Sequence, residues 1–297
     1  MAQSSSRGRV SYHLRLLHPV HGRQGTTTFN SNRFGLHSVI GGRENQEDAG
    51  LVAHAANNSN AVLAVFDGMG GHEGGEIASG AALDGLNAHA GALTNNAELD
   101  GLRRAIMSAH NAALRATVNI SSERPPGTTV AAAAVSGNTA HIAHAGDSRA
   151  YLLRDGVLTQ LTQDHRVQRI LYNCIGSKAV VPRVDVSTHQ LRTGDALLLV
   201  TDGVSGRLSD EELAQHIQRA SSAQAAAESI CNEIQSRQRS SGRKFDNATA
   251  AVYFHSPKPP SAAPVRESKR TLYRRTTLVE RVLTGQKVVS VKPKHSR

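Results

Sequence analysis

Acidic side chains stand at the ends of the apolar, strand-like runs of this chain. Glu47 and Asp48 follow FGLHSVI, Asp67 follows AVLAVF, Asp202 follows ALLLVT, and Asp246 precedes TAAVYF. Asp147 sits in the AGDSR turn. A sheet can gather side chains from distant sequence at its strand ends. Two carboxylates so gathered repel by about 4 kcal/mol at a separation of ~4 Å and an effective dielectric of ~20. A divalent cation removes that repulsion, and oxygen-only ligands suit Mg²⁺ or Mn²⁺ rather than zinc. Each Asp taken singly has a plainer reading, since Asp-Gly after a strand is commonly a turn. Taken together, the strand-end acids favour a metal site over a run of coincident turns.

The glycine-rich stretch VFDGMGGHEGG (65–75) poses the choice between a phosphate cradle, a metal site and a turn. The G-x-G-x-x-G pattern counted from Gly68 fails at Glu73, and no Lys follows to make a G-x-x-x-x-G-K-[ST] loop. An acid facing a phosphate repels it unless a cation stands between, so Asp67 favours a metal, with glycines letting backbone come close. The two cysteines, Cys174 and Cys231, form neither a zinc spacing nor a C-x5-R loop. They read as reduced thiols.

The elements that must position these acids are legible as periodic segments. Strand-like runs cover 34–40, 61–66, 128–136, 139–146, 150–154, 196–200 and 249–254. SGNTAHIAHAGDSRAYLLRDGVLTQL, with turn residues at Ser136-Gly137-Asn138 and Asp155-Gly156, reads as an antiparallel meander. Two helical stretches lie between the second and third runs. Two more follow ALLLV, the first opening on Ser209 with Glu212 closing a capping box. Helix pairs alternating with strands predict an α+β fold of antiparallel sheet with helices outside. Thr128 and Thr129 are expected to serve β packing and local hydrogen bonds. His141 and His144 are expected to line or leave a strand.

Charge divides the 297 residues into three parts. Residues 1–34 hold five Arg and no acid, and residues 256–297 hold eleven Lys/Arg and two Glu, so the net +10 conceals a middle of net −4. The predicted organisation is a basic N-terminal extension (1–33), one domain (34–255) and a basic, disordered tail (256–297). No apolar run is long enough to span a membrane, and the N-terminus lacks a secretory apolar core. A cytoplasmic location is the expectation. The tail could meet an acidic partner or an anionic surface. Its single aromatic, Tyr273, gives no stacking platform, so no specific nucleic acid is expected.

Together GGRENQED (41–48), VFDGMGGHEGG (65–75), PGTTV (126–130), HAGDSRAYLLRDG (144–156), LTQDH (161–165), LVTDGVSGRLSDEEL (199–213) and DNATAAV (246–252) form a pattern. The chain resembles the metal-dependent Ser/Thr protein phosphatases, the PPM or type 2C family, and its bacterial members most of all. The resemblance implies a four-layer αββα sandwich, two antiparallel sheets flanked by helix pairs. It implies hydrolysis of phosphoserine and phosphothreonine by a metal-activated water at a binuclear Mn²⁺ or Mg²⁺ centre. Asp67 would bridge the two ions and Asp202 and Asp246 would complete one site. Glu47 and the Gly68 carbonyl would serve the other, and Asp48 would hold metal-bound water. Arg43 would bind the substrate phosphate, and Asp147 matches the acid that, with Asp202, can hold a third ion. The implied partners are a phosphorylated protein and an opposing Ser/Thr kinase. The alternative is a catalytically weak binding module of the same fold acting through its basic tail, but every metal-binding acid and Arg43 are in place.

The chain departs from the family pattern in three ways. Met69 stands where many members have a histidine able to protonate the leaving alcohol, and His72 is a candidate substitute. The segment after LTQDH is short, which opens the cleft and removes the usual source of a further ligand to a third ion. The basic ends lie outside the resemblance.

Overall fold

The computed structural model describes residues 12–19, 24–25, 32–57, 60–70, 74–121, 125–168 and 170–255. The basic tail and His72 lie outside the described residues. In chain order, strands β1 (Tyr12–Leu17), β2 (Gln24–Gly25), β3 (Phe34–Val39), β4 (Asp48–Ala55) and β5 (Asn60–Met69) lead to helices α1 (Gly75–Asn95) and α2 (Leu99–Thr117). There follow β6 (Gly127–Thr128), β7 (Val130–Ser136), β8 (Thr139–Ala145), β9 (Arg149–Arg154) and β10 (Val157–Gln160). A small hairpin of β11 (Arg166–Val167) and β12 (Ile170–Leu171) precedes β13 (Asp185–Gln190) and β14 (Ala196–Val200). Helices α3 (Asp202–Ser205), α4 (Asp210–Arg219) and α5 (Ala223–Ser241) come before β15 (Ala248–Phe254).

The strands form two antiparallel sheets. One runs β13-β8-β7-β5-β4-β1-β2, with β6 beside β5, and the other β10-β9-β14-β15-β3. Three apolar cores separate four layers. Leu63 and Val65 of β5 meet Leu197 and Leu199 of β14 between the sheets. Val62, Ala64 and Phe66 face Leu83, Leu86 and Ile106 of α1 and α2. Leu198 and Val200 face Ile217 and Ile230 of α4 and α5. Strands β5 and β14 are continuous apolar runs because both of their faces are covered. Each fully buried Leu or Val in these cores contributes about 1.5–3 kcal/mol, so the central strands are the anchors of the sandwich. The capping box at α4 is present, with Ser209 accepting from the Glu212 backbone and Glu212 from that of Ser209.

Three expectations are corrected. The predicted meander is split: β8 pairs with β7 and β13, whereas β9 pairs with β10 and β14. The chain therefore changes sheets at Gly146-Asp147-Ser148, and the Ser148 hydroxyl is tied to that of Thr129 at 2.7 Å. The pattern alone could not show this, because a hairpin and a crossing between stacked sheets both need two apolar runs and a turn. Strands β4 and β13 were not expected. The first, DAGLVAHA, is wholly buried but rich in Ala, Gly and His, and the second, DVSTHQ, is a polar edge strand. Finally, β1 lies inside the span expected to be an extension, yet it pairs with β4 from Tyr12↔Ala55 to Leu17↔Gly50. Its alternation is too short and too basic to read as a strand without the partner beside it.

Candidate active site

The acids converge because both sheets end on the same side. Asp48 opens β4 and stands in register with Asp67 near the end of β5. In the other sheet β14 and β15 are paired through Val200↔Ala250, so Asp202, after β14, and Asp246, before β15, emerge together. Asp147 arrives from the crossover, and Arg43 and Glu47 from the loop joining β3 to β4.

Neither Asp-Gly pair is an ordinary turn. A Cβ on Gly68 would lie 2.2 Å from the Gly75 carbonyl oxygen, and one on Gly203 would lie 1.8 Å from that of Asn247. Each glycine lets a strand end press against neighbouring backbone, which brings the preceding Asp into the cluster.

Hydrogen bonds fix the set. The Asp67 backbone N–H donates to Thr129 Oγ1 (3.1 Å), and its carbonyl accepts from Thr128 Oγ1 (3.0 Å) and the Thr129 N–H (2.9 Å). Asp48 Oδ2 accepts from Thr201 Oγ1 (2.8 Å) and Thr249 Oγ1 (2.7 Å). The Glu47 N–H donates to Asn247 Oδ1 (2.8 Å), and its carbonyl accepts from Ser79 Oγ (2.6 Å) and the Gly68 N–H (3.1 Å). Arg43 Nη2 donates to Asp246 Oδ2 at 2.5 Å. Arg166 Nη1 donates to Asp147 Oδ2 at 3.2 Å.

The electrostatics are those of too many acids in one place. Burial raises Asp67 well above the usual carboxylate range, and the charges of Asp48, Asp202 and Asp246 add to it. Burial pushes Asp48 up to about 7 against the pull of its two threonine hydroxyls. Asp147 is pushed up to about 6 by burial and by Asp202, with Arg166 opposing. Burial, then Asp246, raises Asp202, and burial, then Glu76, raises Glu47. Glu76 Oε2 is buried with no hydrogen-bond partner. An oxygen-rich cluster that resists ionisation and leaves a carboxylate oxygen unpaired fits a hard divalent cation.

A cleft of about 1150 Å³ opens over the cluster, lined by Arg43, Glu47, Asp67, Asp202, Asp246 and Met69 among others. Ile170 and Leu171 of the small hairpin and Lys244 also reach it. A family model described as Protein phosphatase 2C matches residues 37–239. The chain belongs to that family. It is 34% identical over 200 residues to the serine/threonine protein phosphatase PstP of Mycobacterium tuberculosis, a match covering 58% of this chain but only 38% of that protein. It is 30% identical over 195 residues to the serine/threonine phosphatase stp of Listeria monocytogenes, covering 58% of this chain and 77% of that one. Among solved structures, the S. agalactiae serine/threonine phosphatase superposes with a TM-score of 0.63 at 26% identity, over 74% of this chain and 98% of that one. The catalytic domain of PstP in complex with two manganese ions superposes with a TM-score of 0.60 at 27% identity, over 81% and 99%.

All eight positions singled out in the sequence (Arg43, Glu47, Asp48, Asp67, Gly68, Asp147, Asp202 and Asp246) lie on the segments that meet at this end of the sandwich. The sequence reading missed Thr201, Thr249 and Asn247, which hold Asp48 and Glu47 by hydrogen bonds, and Glu76, a further carboxylate whose charge bears on Glu47. A second group of possible metal ligands, His144, His165 and Asp185, lies near the crossover. The two rings stack with centroids 4.5 Å apart and planes 18° from parallel, so their lone pairs do not point at a common centre. His165 Nδ1 faces the Gly146 N–H (3.1 Å) and the Asn173 side-chain amide (2.7 Å), which leaves Nε2–H to donate to Asp185 (3.1 Å). This group is a hydrogen-bonded brace.

Proposed function

We propose that this chain hydrolyses phosphoserine and phosphothreonine in proteins at a pair of Mn²⁺ or Mg²⁺ ions, opposing a Ser/Thr kinase. The observation that carries the reading is the convergence of acids from both sheets around Asp67, with Arg43 at the cleft edge. Asp67, Asp202 and Asp246 would hold one ion, and Asp67, Glu47 and the Gly68 carbonyl the other. A pair of divalent cations supplies an activated water as nucleophile and offsets charge on the phosphoryl oxygens.

The chain's own residues do the rest. Thr201 and Thr249 leave Asp48 one carboxylate oxygen that accepts from neither hydroxyl, suited to orient water. Arg43 is half exposed and its charge is reinforced by Asp246, Glu47 and Asp67 despite partial burial. Its planar fork can leave Asp246 and take two phosphoryl oxygens, which a Lys cannot do in the same geometry. Met69 lines the cleft next to Gly68 and has no proton to give, so the leaving alkoxide takes its proton from solvent or from a group other than Met69.

The test is phosphate release from a phosphothreonine peptide. Release should require Mn²⁺ or Mg²⁺, stop on chelation, and be lost in Asp67→Asn and Asp202→Asn. Turnover that survives chelation or either substitution contradicts the reading.

A further inference from the structure

The hairpin of β11 and β12 stands where the chain runs directly from His165 to the cleft wall. Its base is clasped to the sheet crossover. The His165 N–H donates to the Gly146 carbonyl (3.0 Å), Gly146 N–H to His165 Nδ1 (3.1 Å), and Tyr172 N–H to the His165 carbonyl (3.0 Å). The next residue, Arg166, is thereby held against Asp147. One edge of its guanidinium, Nη1, meets Asp147 Oδ2 at 3.2 Å, and another, Nε, donates to the Gln168 carbonyl at 3.0 Å. The Asp147 side chain is only 13% exposed, so this is no loose surface pair.

Burial raises both Asp147 and Asp202, the Asp202 charge adds to the effect on Asp147, and the positive charge of Arg166 acts on both acids in the opposite sense. A guanidinium carries a fixed positive charge. It offers donors and no lone pair, so it cannot ligate a metal, and it repels one nearby.

We propose that Arg166 takes the place of a third divalent cation between Asp147 and Asp202, so that this chain works with two ions and one internal cation. The proposal rests on the two-ion reading above. Its consequence is that the charge of Asp147 is balanced at every metal concentration, and the metal requirement of the full chain ends at two ions.

The experiment counts Mn²⁺ bound per chain by titration calorimetry on the full-length protein, with unbound Mn²⁺ measured by electron paramagnetic resonance. The wild type should bind two ions. Arg166→Ser should acquire a third site at least ~10-fold tighter than any third binding to the wild type, as expected when a like charge is removed beside an acid pair. Arg166→Lys keeps the charge and should stay at two, and Asp147→Asn added to Arg166→Ser should return the count to two. Three ions on the wild type, falling to two in Asp147→Asn, would overturn the proposal, as would a count of two in a folded Arg166→Ser. Fewer than two ions on the wild type, unaltered by Asp67→Asn, would overturn the two-ion reading and this proposal with it.

Discussion

Asp48 and Asp67 stand side by side across β4 and β5, yet the chain treats them differently. Asp67 is held through its backbone by Thr128 and Thr129, so no threonine hydroxyl occupies its carboxylate. Asp48 is held through its carboxylate by Thr201 and Thr249, one from each of two strand ends of the other sheet. A hydroxyl that orients a group at a metal centre is commonly worth about 10–100-fold in metal affinity or activity. Thr249→Val keeps the shape and removes the donor, so it should weaken Mn²⁺ dependence or turnover by about that factor. A Mn²⁺ titration of phosphate release reads it, and an unchanged titration would show that Asp48 needs no such anchor. The acids were legible in the sequence because each ends or begins an apolar run. The threonines were not, because their partner lies on the other sheet, about 150–200 residues away along the chain. Glu76 was hidden for another reason: an acid in the first turn of a helix is ordinary there.

At the scale of elements, the site depends on how closely strand ends can approach. β14 passes into α3 at Asp202-Gly203, directly against the backbone that leads into β15. Gly203→Ala places a methyl group 1.8 Å from the Asn247 carbonyl oxygen unless the backbone moves. Such overpacking costs about 1–3 kcal/mol. The necessary shift separates Asp202 from Asp246, so Mn²⁺ affinity should fall together with thermal stability. A variant that melts like the wild type and binds Mn²⁺ as tightly would show that this contact is not what sets the spacing. The central strands were legible because burial on both faces makes them continuous apolar runs. β13 was not, since an edge strand facing solvent needs no apolar pattern. β4 escaped because Gly50 and its alanines lack strand propensity and are held there by packing, with Gly50 close under Leu36. The meander was misread because sequence pattern gives strand and turn but not which sheet receives the next strand, and that step is what carries Asp147 to the cluster.

At the scale of the whole molecule, two stacked sheets collect acids at one end that neither sheet could collect alone. Asp48 and Asp67 come from one sheet, Asp202 and Asp246 from the other, and Asp147 from the turn that carries the chain between the sheets from β8 to β9. The two cysteines take no part: both are buried, and burial pushes the Cys174 thiol up to about 11 and that of Cys231 further still. Among the described residues no helix is long and apolar enough to cross a membrane. The central claim is that this shared end is a two-cation centre, and anomalous X-ray scattering from crystals grown with Mn²⁺ tests it most directly. The account predicts two manganese peaks flanking the Asp67 carboxylate, one towards Glu47 and one towards Asp202 and Asp246. Their absence there, or a single strong peak at His144, His165 and Asp185 instead, would contradict it.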